Sequence, residues 1–168
     1  VACGLPDGPA LASLAAALPS SGYAFAPLNP DLQLSELAWE LSDLPASALI
    51  VPSRRGRAAD GGDEEAGGDE AARSAARSLG LPLFELEADA CTCGLWRLHR
   101  VDASGATPAD VRGCDGAGAR SRRQDVALVM HTSGTTRRPK VVPISHEHLG
   151  SGALCVVDAL RLGRPDVC

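Results

Sequence analysis

Five consecutive apolar residues, Val126-Ala127-Leu128-Val129-Met130, run directly into His131-Thr132-Ser133-Gly134-Thr135-Thr136-Arg137-Arg138-Pro139-Lys140, and Val141-Val142-Pro143-Ile144 follows. No other stretch limits the fold as much. A short apolar run bounded by turn chemistry reads as a buried strand, and the segment after Lys140 reads as extended chain. A polar loop is therefore strung between two extended segments. It holds four hydroxyl side chains, one glycine and three cations. Backbone N–H groups and hydroxyls can surround phosphate oxygens while an ammonium neutralises charge, so such a loop suits a polyphosphate. It is not the common nucleotide loop, which needs G-x-x-x-x-G-K-[ST] leading into a helix. Gly134 has no second glycine before Lys140, and Val141 stands where Ser or Thr would be required. The grip is then made chiefly by side chains. The plain alternative is a solvated Ser/Thr-rich loop.

Thr132-Ser133-Gly134-Thr135-Thr136, then Pro139-Lys140, a short apolar run and Ser145-His146 resemble the phosphate-binding core motif of the AMP-forming acyl-activating enzymes. That superfamily includes acyl-CoA synthetases, adenylation domains of peptide synthetases and luciferases. An earlier stretch, Ala26-Pro27-Leu28-Asn29-Pro30 with Glu36-Leu37 and Leu41-Ser42-Asp43, is similar to the family's preceding strand–turn–helix segment, and Leu5-Pro6-Asp7-Gly8-Pro9 to the segment before that. The order is the family's. His131 before the loop and Arg138-Pro139-Lys140-x-Val142-Pro143 after it look most like the oxalate–CoA ligase and peroxisomal CoA-synthetase-like branch.

The resemblance implies an α/β fold with a largely parallel layered sheet, part of the large N-terminal domain of an acyl-activating enzyme. It also implies a two-step reaction. A carboxylate attacks the α-phosphate of ATP to give an acyl-adenylate and pyrophosphate, and coenzyme A then displaces AMP to give a thioester. Thr132, Ser133, Gly134, Thr135 and Thr136 would wrap the β- and γ-phosphates, and Lys140 would serve as the catalytic cation. ATP, Mg²⁺ and coenzyme A are the implied cofactors, and a small-molecule carboxylate the implied substrate. Two residues depart from the family's pattern. Arg137 replaces a small residue at the loop tip. Val141 replaces a glycine, and a β-branched residue there is costly if the backbone needs a positive φ.

Through Cys168 the sequence contains no Tyr-Gly-x-Thr-Glu-type segment, no hinge aspartate motif and no C-terminal domain with the family's second lysine. The expectation is a partial N-terminal AMP-binding domain over residues 1–168, inactive alone and completed by a missing remainder of the same chain. The other reading of the same ancestry is a truncated, non-catalytic remnant with weak or no nucleotide binding.

Charge and composition narrow the alternatives. Sixteen Lys and Arg against 21 Asp and Glu leave a formal net charge of −5. A nucleic-acid binder shows a basic face and stacking aromatics, whereas only 3% of these residues are aromatic, so no nucleic-acid partner is expected. Few large side chains are available to fill a core, which predicts marginal stability. Six cysteines occur, and only Cys91-Thr92-Cys93 is closely spaced, with His99 the one candidate partner. Zinc sites favour C-x2-C pairs, so no metal ligands are assigned. The cysteines read as thiols of a reducing, intracellular compartment, and cytoplasm and peroxisome fit equally. The Ala/Leu run over residues 11–18 lacks the basic flank of a signal peptide, and no run is long enough to span a bilayer.

Along the chain, residues 9–18 read as a helix, residues 22–28 as a strand, and Leu34, Leu37, Ala38 and Leu41 as one face of a second helix. Gln33 or Ser35 would cap it. Residues 46–52 and 81–87 read as strands. Residues 53–78, with no large apolar side chain, read as a disordered insertion, and residues 101–124 as a polar linker. A last helix carries Leu149, Ala153, Val156, Val157 and Leu160 on an apolar face. Alternating helices and strands suggest α/β layering.

Overall fold

The structure, a computed structural model, describes residues 1–29, 31–54, 66–89, 91–101, 121–132 and 139–163. In chain order its elements are β1 (Ala2–Cys3), α1 (Pro9–Ser20), β2 (Ala26–Pro27), α2 (Leu34–Asp43), β3 (Leu49–Pro52), α3 (Ala66–Ser78), β4 (Leu83–Ala88), β5 (Trp96–Val101), β6 (Val126–Thr132), β7 (Lys140–Ser145) and α4 (His146–Leu160). Five strands form one sheet in the order β2-β1-β3-β4-β5, and β6 and β7 form a second. The pairs β1–β2, β1–β3 and β3–β4 are parallel, and only β5 runs antiparallel to its neighbour. This is the mixed α/β, largely parallel sheet that the sequence suggests.

Local chemistry sets the helix ends. Pro9 opens α1, where a missing N–H costs nothing because the first-turn donors have no helical acceptor. Gly22, at φ 84°, turns the chain after it, a conformation open to a residue without Cβ. At the start of α2 the Glu36 carboxylate reaches back to accept the Gln33 N–H at 2.9 Å, half of a capping box. Leu37 and Leu41 are buried on one face of that helix, as the periodicity predicts, whereas Leu34 is exposed.

β3 shows why the core divides in two. Successive side chains on a strand point to opposite faces. Leu49 and Val51 join Leu37, Leu41, Ala72, Ala75 and Ala76 on one side. Ile50 joins Cys3, Leu5, Leu14, Phe25 and Leu86 on the other. A strand covered on both faces carries an unbroken apolar run, and Leu49-Ile50-Val51 is such a run.

Several expectations need correction. The disordered insertion over residues 53–78 does not hold in its second half, because Ala66–Ser78 is helix α3; residues 55–65 lie outside the described residues. α3 buries Ala72, Ala75 and Ala76, and these small side chains let it pack closely without the large residues that a core usually requires. Arg73, only 2% exposed, locks it down. Its guanidinium donates to Asp69 at 3.1 Å, Glu85 at 2.5 Å and the Pro52 carbonyl at 2.6 Å. Ser53, at the start of the supposed insertion, is itself buried. The polar linker over residues 101–124 begins one residue inside β5, where Val101 pairs with Leu83; residues 102–120 lie outside the described residues. β1 and β5 are strands absent from the sequence reading. The expected strand at residues 22–28 shortens to β2 and a parallel bridge between Phe25 and Leu128.

That bridge ties the second sheet to the first. Phe25 donates its N–H to the Ala127 carbonyl at 2.9 Å, and Val129 donates to the Phe25 carbonyl at 2.8 Å. β6 is less buried than its composition suggests. Ala127 is its one buried residue, while Val126 and Met130 are exposed. Nor does the apolar face of α4 pack inward, for none of its residues is buried. Among the described residues no helix is long and apolar enough to cross a membrane.

Candidate phosphate-binding site

β6 and β7 form an antiparallel hairpin whose register runs from Val126↔Ser145 to Thr132↔Lys140. The two extended segments expected on either side of the loop are therefore present, and they end opposite each other at Thr132 and Lys140. The Thr132 hydroxyl donates to the Lys140 carbonyl at 3.4 Å, a long contact across the hairpin mouth. Lys140 is exposed, and among the described residues it forms no ion pair. An exposed lysine cross-strand from a threonine at the open end of a hairpin fits a polyanion. Ser133, Gly134, Thr135 and Thr136, together with Arg137 and Arg138, lie outside the described residues. Two of the six residues assigned to phosphate binding are thus placed, and both stand at the mouth.

Val141 pairs with His131 inside β7. It is not among the non-glycine residues with positive φ. A β-branched residue suits this extended backbone, so the strain expected if valine replaced a left-handed glycine does not arise.

The far end of the hairpin is fixed by capping. Ser145 is the N-cap of α4, and its hydroxyl accepts the His148 N–H at 3.2 Å. The first helical donors are also used. His146 donates to the Asp125 carbonyl at 3.0 Å and Glu147 to the Arg123 carbonyl at 2.8 Å. His146 therefore sits at a capped helix start, and Glu147 and His148 are exposed first-turn residues.

His131 is held differently. Its ring packs 5.7 Å, centroid to centroid, from Trp39, and its Nε2 lies 3.2 Å from Asp43 Oδ2. Its Nδ1 faces Glu40 Oε1 at 3.9 Å. Burial pushes the Glu40 carboxyl above its ordinary range; His131 pulls it partly back and Glu36 pushes it up further. These partners come from α2, 88 residues earlier for Asp43. The spacing of His131 in the sequence carries no signal of them. Among the described residues no group of three or more His, Cys, Asp or Glu side chains is placed to hold a metal ion.

The family described as AMP-binding enzyme matches residues 1–167. The chain belongs to that family. It is 29% identical over 153 residues to the oxalate–CoA ligase of Saccharomyces cerevisiae, covering 82% of this chain and 25% of the relative. A malonyl-CoA ligase, solved as a ternary product complex with methylmalonyl-CoA and AMP bound, superposes with a TM-score of 0.53 at 26% identity, over 94% of this chain and 26% of that one. ATP-bound MatB from Rhodopseudomonas palustris shares the fold, with a TM-score of 0.59 at 20% identity over 94% of this chain and 26% of that one. The chain thus spans about a quarter of the length of the curated relative it matches.

Proposed function

We propose that the complete protein is an ATP-dependent carboxylate–CoA ligase, and that the hairpin mouth between Thr132 and Lys140 binds the β- and γ-phosphates of ATP. The observation that carries this reading is the pairing of Thr132 with Lys140 at the end of the hairpin, in a chain matched by the AMP-binding family from residue 1 to 167. In the first step a carboxylate oxygen bonds to the α-phosphorus and the bond to pyrophosphate breaks. In the second the sulfur of coenzyme A bonds to the acyl carbon, AMP leaves, and the thiol proton passes to solvent. The physical difficulty of the first step is charge, since an anion attacks a polyanion and the leaving pyrophosphate gains negative charge. Fixed donors and cations lower that barrier by stabilising the charge as it develops. Lys140 supplies a point charge, and Thr132 a hydroxyl beside it. Ser133, Gly134, Thr135 and Thr136 complete the cradle. Magnesium, when bound with ATP, would screen the phosphate charge and would be held mostly by the phosphates themselves, with one or two carboxylates.

For the acid, a small dicarboxylate such as oxalate is the first choice. The support is the sequence of the loop's flanks and the likeness to an oxalate–CoA ligase. The test is oxalate-dependent exchange of labelled pyrophosphate into ATP by the complete protein. Lys140→Ala should slow it by about 10²-fold or more, the usual cost of removing a group that stabilises transition-state charge. Exchange at an unchanged rate overturns the reading.

A further inference from the structure

We propose that His131 is the positioning residue of the phosphate loop, pinning the loop's entry strand to α2 through Asp43 and Glu40. The proposal rests on the reading of residues 132–140 as the phosphate loop and adds what holds that loop in place.

Three observations carry it. His131 is the residue immediately before Thr132, and alternation along a strand turns the two side chains to opposite faces. The ring is 10% exposed, although it stands near the end of a strand whose Val126 and Met130 are each 41% exposed. Both ring nitrogens face carboxylates of one helix, Asp43 at 3.2 Å and Glu40 at 3.9 Å, and Trp39 of the same helix covers the ring. Only the Asp43 contact is of hydrogen-bond length; the Glu40 carboxylate stands further off and acts through its charge.

The other described ties of β6 to the body of the fold lie away from its mouth. Its β-bridge to the first sheet is at Leu128, three residues before His131, and α4 caps the opposite end. At the mouth, the described contact to the body of the fold is the His131 ring on α2. The strand that launches the loop is thus referenced to a helix whose Leu37 and Leu41 are fully packed. A donor set aimed at phosphate is effective only while it is held in place. Among the described residues, α2 is linked to the strand that ends at Thr132 through the His131 side chain.

Calorimetric titration of the complete protein with ATP, and separately with AMP, tests this. AMP lacks the β- and γ-phosphates and does not need the loop. His131→Ala and Asp43→Ala should each raise the Kd for ATP by roughly 3–10-fold, in keeping with one partly exposed charge-assisted hydrogen bond. The double variant should show no further rise, because the two residues act as one unit. AMP affinity should stay unchanged throughout, and His131→Gln, which keeps one donor, should fall between. If His131→Ala does not fold, Asp43→Ala and His131→Gln decide the matter. Unchanged ATP affinity, ATP and AMP affinity falling in step, or additive losses in the double variant each overturn the proposal. If the unaltered protein binds neither nucleotide, the ligase reading itself fails and the pin fails with it.

Discussion

β3 and β6 both carry unbroken runs of apolar residues, yet they end in different surroundings. In β3, Leu49, Ile50 and Val51 are no more than 2% exposed. In β6 one residue, Ala127, reaches that state. The difference lies in the neighbours. β3 has a parallel strand on each edge and side chains from α1, α2 and α3 on its two faces. β6 has β7 on one edge and a single bridge on the other, and the helix that follows turns no buried residue toward it. An apolar run therefore reports a tendency to be covered; how much is covered depends on elements elsewhere in the chain. The same division applies to charge. The first region sequesters Arg73 with Glu85 and Asp69. The second wears its Arg123–Glu147 pair in solvent, with Arg123 83% exposed.

That contrast in ion pairs gives the largest expected effect. Arg73→Ala strips a buried guanidinium from two carboxylates and a carbonyl, leaving Glu85 buried without its cation. The cost should be about 3–5 kcal/mol of unfolding free energy. Arg123→Ala breaks a pair of nearly ideal length, 2.8 Å, but in high dielectric, and should cost under about 0.5 kcal/mol. Urea unfolding of the two variants side by side measures both. Similar costs would remove the distinction between the regions.

Apolar truncation comes next. Leu37→Ala opens a void among Leu41, Leu49 and Val51 and should cost about 2–4 kcal/mol. Leu154→Ala, at a residue 70% exposed in α4, should change stability by less than about 0.5 kcal/mol in either direction. Denaturation midpoints for the 168-residue chain decide between them. A large loss at Leu154 would mean that α4 is packed in solution against something the fold described here does not supply.

Much of the first region was readable because its signals are local. The i, i+3, i+4, i+7 spacing in α2 and the continuous apolar run of β3 each point to one kind of element. α3 escaped because Ala, Gly, Asp, Glu and Arg give no apolar periodicity of ordinary strength; its helix buries methyl groups, and the residue that fixes it, Arg73, finds partners on β3 and β4. β1 is two residues long and is defined by its neighbours on either side. β5 had a usable signal that went unread, with Trp96 and Leu98 alternating with Arg97 and His99 just after Gly94 at φ 82°. At the site, the loop announces itself through hydroxyls, glycine and lysine in a row. The pin at His131 does not, since its meaning depends on a helix 88 residues away.

The smallest expected effect tests whether the two regions feel each other electrically. Glu40 belongs to α2 in the first region, and its raised carboxyl pKa is opposed by His131 from the second. A raised value means that the folded protein holds the Glu40 proton more tightly than the unfolded chain does. As pH climbs past the ordinary glutamate value, the unfolded chain loses that proton first. Stability should therefore fall across the window between the ordinary and the raised value, and level off above it. Glu40→Gln abolishes this segment of the stability–pH curve. His131→Ala removes the interaction that opposes burial, so it should widen the window and deepen the fall. The carboxylate is only partly withdrawn from water, and the whole excursion should stay below about 1 kcal/mol. Urea midpoints taken at intervals from about pH 4 to about pH 7 resolve the slope. If the Glu40→Gln and unaltered curves run parallel, the burial of this carboxylate has no energetic consequence. If His131→Ala leaves the slope unchanged while Glu40→Gln removes it, the shift comes from burial and Glu36 and the hairpin contributes nothing at 3.9 Å.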